Sequence, residues 1–180
     1  MPQLGLGASR IYPDQVMPVA ILDACGIVSY TSNFSAGADN FVAGAANPNL
    51  NLTITGNVDS IGGLNDVLQL TFQDVGIVTP TKSLENSTGI SAATRGCSYN
   101  ITFRYRFAAA NATVFKILQV SIGDESIVVD SVDKAADTWF LFTGTIVAGQ
   151  PGTLRFTFPV SSGLSPDIVY LKDVVINNVN

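Results

Sequence analysis

From Cys97 to Phe107 the chain reads Cys-Ser-Tyr-Asn-Ile-Thr-Phe-Arg-Tyr-Arg-Phe, with every odd position apolar or aromatic and every even position polar or charged. Only an extended strand sorts such a pattern onto two faces, because its side chains alternate, whereas a helix would scatter the rings around its circumference. Tyr99, Ile101, Phe103, Tyr105 and Phe107 are therefore expected in a core, and Asn100, Thr102, Arg104 and Arg106 toward water or a ligand.

The rest of the chain repeats the signal in shorter form. Strands are expected at 19–22, 26–31, 50–54, 67–72, 113–122, 126–130, 138–147, 153–158 and 168–176, separated by Gly-, Asn-, Asp- and Pro-rich stretches, with 75–78 as a further candidate. Asn33 to Gly44, Gly56 to Asn65 and Ser161 to Pro166 read as loops, and 108–112 as a turn. No segment keeps helical periodicity for longer than a turn. The expected fold class is all-β: an antiparallel two-sheet β-sandwich, a jelly roll, of about eight to ten strands. A length of 180 residues and a hydrophobic share of 47% suit one such domain. Residues 1–18 are expected to form an extended N-terminal arm and 19–180 the sandwich, because the first segment carries Pro2, Gly5, Gly7, Pro13 and Pro18 without periodicity.

Composition removes several functions. The chain has no His, which excludes Ser-His-Asp chemistry and His-ligated zinc hydrolysis. No pair among Asp59, Asp66, Asp74, Asp124, Glu125 and Asp130 stands out as the two acids of a glycoside hydrolase. Catalytic residues are thus expected to be none. Nine Lys and Arg against fourteen Asp and Glu, a net charge of −5, do not build a nucleic-acid face. The apolar run Val16 to Val28 contains Pro18 and Asp23 and is shorter than the roughly 20 residues of a spanning helix, so no membrane partner is expected. Met1 to Ser9 has no basic segment followed by an apolar one, and no Sec signal is expected there.

Two cysteines, Cys25 and Cys97, would pair in an oxidising compartment, but the reading adopted is two buried thiols. Five Asn-x-Ser/Thr triplets begin at Asn33, Asn51, Asn86, Asn100 and Asn111 and are read as products of an Asn-, Ser- and Thr-rich composition.

Several segments resemble a known family. Tyr30 to Phe41, a short strand leading into a loop that ends in an aromatic, looks like the opening of carbohydrate-binding-module-like jelly rolls. Gly56-Asn57-Val58-Asp59-Ser60-Ile61-Gly62-Gly63-Leu64-Asn65-Asp66-Val67-Leu68 resembles a segment of such modules in virion and tail proteins of tailed bacteriophages. Cys97 to Phe107, Asp137-Thr138-Trp139, and Ser165-Pro166 leading into 167–176 extend the resemblance over residues 28 to 178. Leu4-Gly5-Leu6-Gly7 is similar to the N-termini of small phage virion proteins.

The resemblance implies a non-enzymatic virion structural protein, a capsid decoration or tail/fibre subunit. The alternative it leaves open is a carbohydrate-binding module of a secreted or cell-surface protein, located extracellularly. In such modules exposed aromatics stack on sugars beside polar groups, which makes Arg104, Arg106 and Tyr170 the candidate ligand-binding residues, with Trp139 read as core or interface. Many such jelly rolls hold a structural calcium, for which Asp39 and Asp173 are the candidate ligands; no other cofactor is implied. The expected partners are other virion proteins, copies of itself and a host-surface glycan. Self-association is also suggested by a charged share of only 13%. Leu4, Leu6, Ile11, Tyr12, Val16 and Met17 would bury the arm on a neighbour in a homo-oligomer.

Overall fold

The computed structural model describes residues 25, 29–44, 52–72, 82–86, 93–108, 117–130, 134–149, 153–158 and 167–179. The arm 1–18, with its six apolar residues, and the expected strands at 19–22 and 75–78 lie outside them, as does the loop 161–166.

Among the described residues eleven strands are formed, in chain order β1 (Ser29–Ser32), β2 (Val42–Ala43), β3 (Leu52–Val58), β4 (Val67–Phe72), β5 (Lys82–Asn86), β6 (Ser98–Phe107), β7 (Ile117–Ile122), β8 (Glu125–Asp130), β9 (Phe140–Val147), β10 (Leu154–Phe158) and β11 (Asp167–Asn178). They make two sheets in which every pairing is antiparallel. One sheet has six strands in the order β3-β4-β11-β6-β9, with β1 pairing the far half of β11; the other has the order β2-β5-β10-β7-β8. From β4 onward the chain crosses from sheet to sheet, apart from the β7–β8 hairpin, which is the winding of a jelly roll.

The centre of the six-stranded sheet is the β6–β11 pair, and sequence alternation explains why. Tyr99, Ile101, Phe103, Tyr105 and Phe107 of β6 are all buried, as are Val169, Leu171, Val174 and Ile176 of β11. The alternation of β11 changes phase once, where the register with β6 shifts between Lys172 and Val175. Asp173, in a left-handed conformation (φ 52°), sits in this bulge, so that Val174 recovers the core face. Facing them from the other sheet are Leu118, Val120, Ile122, Leu154, Phe156 and Phe158. Rings interlock across the interface: Phe103 meets Phe156 edge-on at 5.0 Å and Phe72 meets Phe158 at 5.1 Å. Burying each such side chain contributes roughly 1.5–3 kcal/mol, so this aromatic layer is what holds the two sheets face to face.

Two short strands escaped the sequence reading. Val42–Ala43 lies in the span read as loop, and Lys82–Asn86 in a span read mostly as turns. In β5 only Leu84 turns a large apolar group to the core, leaving no alternation to detect. The expectation of two buried thiols is corrected: Cys25 and Cys97 form a disulfide, their Cα atoms 5.7 Å apart. The buried Cys97 lies just ahead of β6, so the bridge ties Cys25 to the entry of the central strand.

Candidate functional site

The even positions of β6 line the outer face of the six-stranded sheet. Cross-strand register then decides their neighbours: Arg106 stands opposite Tyr170, and Arg104 lies between Lys172 on β11 and Leu141 on β9. Arg104, Arg106 and Tyr170, picked from different parts of the chain, are therefore brought together on one face. Beyond them the same face carries Thr102 opposite Val175 and Thr143, then Asn100 opposite Asn177 and Thr145, a run of hydroxyls and amides interrupted once.

Arg106 does not face water as its position in the alternation suggests. Its side chain is only 13% exposed, and its Nη2 donates to Asp137 Oδ1 at 2.8 Å. Asp137 is held there by its own backbone N–H, which donates to Phe107 O at 2.7 Å. The guanidinium lies 5.9 Å from the Tyr170 ring centre, a cation–π contact, and the Trp139 ring lies 6.5 Å from that of Tyr170. Burial raises the Tyr170 phenol pKa, with Arg106 opposing the shift and Asp137 adding to it. The phenol is therefore a neutral hydrogen-bonding group at physiological pH.

What covers Arg106 is the connection between β3 and β4. Ile61 and Leu64 exchange backbone hydrogen bonds at 3.0 and 3.2 Å around Gly62 and Gly63, which both have positive φ as a two-residue hairpin turn requires. Side chains tie its base: Asn65 Oδ1 accepts from Ser60 N–H and Asp59 Oδ1 from Asp66 N–H. Trp139 Nε1 donates to Ile61 O at 2.9 Å, and Lys172 Nζ donates to Asp66 O at 3.4 Å. A Cβ on Gly62 would collide with Arg106 Nη1. The loop forms a wall at one end of the face and fixes Trp139 and Arg106 beside Tyr170. Trp139, expected in a core or interface, is half-buried at this wall.

Arg104 remains in the open, its side chain 47% exposed, with Nε 3.5 Å from Asp173 Oδ2. Lys172 Nζ lies 3.5 Å from the other oxygen of the same carboxylate. Asp173 thus turns to two cations on the outer face. Asp39, its expected calcium partner, accepts from Ser32 Oγ at 2.6 Å and from Phe34 N–H at 2.9 Å, and Ser32 is buried opposite core-facing Val174. The partners of the two carboxylates are therefore different groups: Ser32 and Phe34 for Asp39, Arg104 and Lys172 for Asp173. Among the described residues, no three His, Cys, Asp or Glu side chains converge as a metal site. Asn86, one of the Asn-x-Ser/Thr positions, is buried, with Nδ2 donating to Tyr30 Oη and Asp39 O, and in the folded chain it offers no amide for glycan attachment.

The outer face of the five-stranded sheet offers a different surface, which the sequence reading did not single out. Arg155 donates to Glu85 at 2.8 Å, with Thr157, Gln119, Ser83 and Ser121 around them by register. Ser83 and Ser121 point outward yet are only 5% and 7% exposed. Among the described residues this face carries no aromatic ring, so the six-stranded face alone combines rings with guanidinium groups.

No family model matches the sequence, and no curated protein matches it. Solved structures do share the fold. The xylan-binding CBM22-1 domain of Xyn10C from Paenibacillus barcinonensis superposes with a TM-score of 0.56 at 15% identity, covering 87% of this chain and 97% of that one. The unliganded CBM1 domain of BiXyn10A gives 0.58 at 15% identity, covering 84% and 98%. The K3 cleaved adhesin domain of Lys-gingipain from Porphyromonas gingivalis gives 0.56 at 16% identity, covering 83% and 96%. The chain has the β-sandwich jelly-roll fold of carbohydrate-binding modules.

Proposed function

We propose that this chain is a non-catalytic carbohydrate-binding domain that holds a polysaccharide on the outer face of its six-stranded sheet. The observation that carries this reading is the Tyr170 ring set beside the guanidinium groups of Arg106 and Arg104, on a face that also carries Thr102, Thr143, Thr145, Asn100 and Asn177. A pyranose presents an apolar ring face and a rim of hydroxyls, which suits an aromatic platform flanked by fixed donors and acceptors. The two carboxylates here, Asp137 and Asp173, are engaged by Arg106, Arg104 and Lys172, an arrangement suited to binding rather than to acid–base work. That two of the similar structures are carbohydrate-binding domains, one described as xylan-binding, supports the reading. The disulfide supports an oxidising location, hence an extracellular protein. None of the three similar structures is described as a virion protein, and the virion reading rests on the sequence motifs alone.

Native electrophoresis through gels containing soluble polysaccharides tests the proposal. Wild-type protein should be retarded by at least one of them. Tyr170→Ala should weaken that retardation about tenfold, the equivalent of about 1.4 kcal/mol, while Arg155→Ala on the opposite sheet leaves it unchanged. Migration unaffected by every polysaccharide would overturn the proposal.

A further inference from the structure

Arg104 and Lys172 are direct cross-strand partners on β6 and β11. Like charges at this spacing destabilise a sheet, so folding alone gives no reason for the pair. One carboxylate serves both cations: Asp173 lies 3.5 Å from Arg104 Nε and 3.5 Å from Lys172 Nζ, at the long end for charge-assisted contacts. It does so from the left-handed conformation it takes in the bulge of β11. Arg106 and Asp137 neutralise each other alongside. The ion pairs of this patch join three cations to two carboxylates, on a chain whose net charge is −5, while Asp59 and Asp66 stand in the wall next to Lys172. Two donor nitrogens of Arg106, Nε and Nη1, are buried with no hydrogen-bond acceptor among the described residues.

We infer that the ligand of this face is an acidic polysaccharide, with the carboxylate of a uronic acid residue lying between Arg104 and Lys172 while a neighbouring ring rests on Tyr170. This rests on the carbohydrate-binding reading and adds the class of sugar. A planar carboxylate accepts two parallel hydrogen bonds from a guanidinium, and Arg104 is exposed enough to exchange its long contact with Asp173 for them. Asp173 competes with the ligand and sets its affinity. Nucleic acid is disfavoured as the polyanion, because three cations with two acids among them do not track a phosphate backbone.

The test compares a polyuronate with the same polymer after chemical reduction of its carboxyl groups to alcohols, and adds dextran sulfate, all by isothermal titration at low and high salt. The wild-type protein should bind the polyuronate about tenfold more tightly than its reduced form, and lose that advantage at high salt. Arg104→Gln should remove most of the preference, read as the ratio of polyuronate affinity to reduced-polymer affinity. Asp173→Asn, an exchange the left-handed backbone tolerates, should raise polyuronate affinity several-fold, an increase that a merely structural role for Asp173 would not give. Thermal unfolding of each variant checks that it is folded. Equal affinity for the polyuronate and its reduced form would overturn the inference and leave the carbohydrate-binding reading standing. Binding to dextran sulfate alone would overturn the carboxylate specificity, and binding to none of the three would overturn the inference, while retardation by a neutral polysaccharide in the gel assay would keep the carbohydrate-binding reading.

Discussion

Gly62 and Gly63 are adjacent, and both have positive φ (57° and 82°), but they meet different surroundings. A Cβ on Gly63 would touch nothing within 4 Å, whereas one on Gly62 would collide with Arg106 and stand 2.9 Å from Trp139 Nε1. The pair therefore separates backbone strain from packing of the wall on the sheet. Gly63→Ala is expected to cost about 1 kcal/mol, the strain of a left-handed alanine. Gly62→Ala is expected to cost roughly 2–4 kcal/mol, since a displaced guanidinium or a lifted loop adds to that strain. Urea denaturation measures both, and equal losses would show that the loop does not rest on Arg106. The sequence named Arg106 as outward-facing but could not show its cover, because the wall comes from residues more than forty positions away and turns on a glycine pair that reads only as a loop. Arg104 was legible as an outward position, Tyr170 was named only through the resemblance, and register placed both beside Arg106.

At the scale of elements, β6 was legible because ten residues alternate without error and bury all five odd positions. The short β5 was not, since a strand with one core-facing leucine carries no periodic signal, and only pairing with β10 and β2 defines it. The disulfide was misjudged for a related reason: two cysteines 72 positions apart say nothing about distance until the fold places Cys25 beside the entry to β6. Its expected effect follows from that separation. Closing a loop of 72 residues stabilises the folded state by roughly 4 kcal/mol through the unfolded chain. Cys25→Ser with Cys97→Ser should lower stability by about that amount in guanidinium unfolding under oxidising conditions, with wild type in reductant behaving like the double variant. A loss below about 1 kcal/mol would show that the bridge constrains little.

For the whole molecule, the two outer faces divide the available chemistry. The five-stranded face is ring-free among the described residues, with Glu85 and Arg155 paired at 2.8 Å and Val42 and Val128 exposed beside them. The six-stranded face gathers Tyr170, Trp139, Arg104, Arg106 and Lys172 around a fixed wall. The central claim is that the second face holds the sugar. Nitrogen-15 NMR of the full chain, titrated with an acidic oligosaccharide, tests it most directly. The account predicts progressive shifts of the backbone amides of Arg104, Arg106, Tyr170 and Lys172 and of the Trp139 indole N–H, with Gln119, Ser121 and Arg155 unmoved. Shifts confined to Gln119, Ser121 and Arg155 would contradict the account and move the binding face to the other sheet.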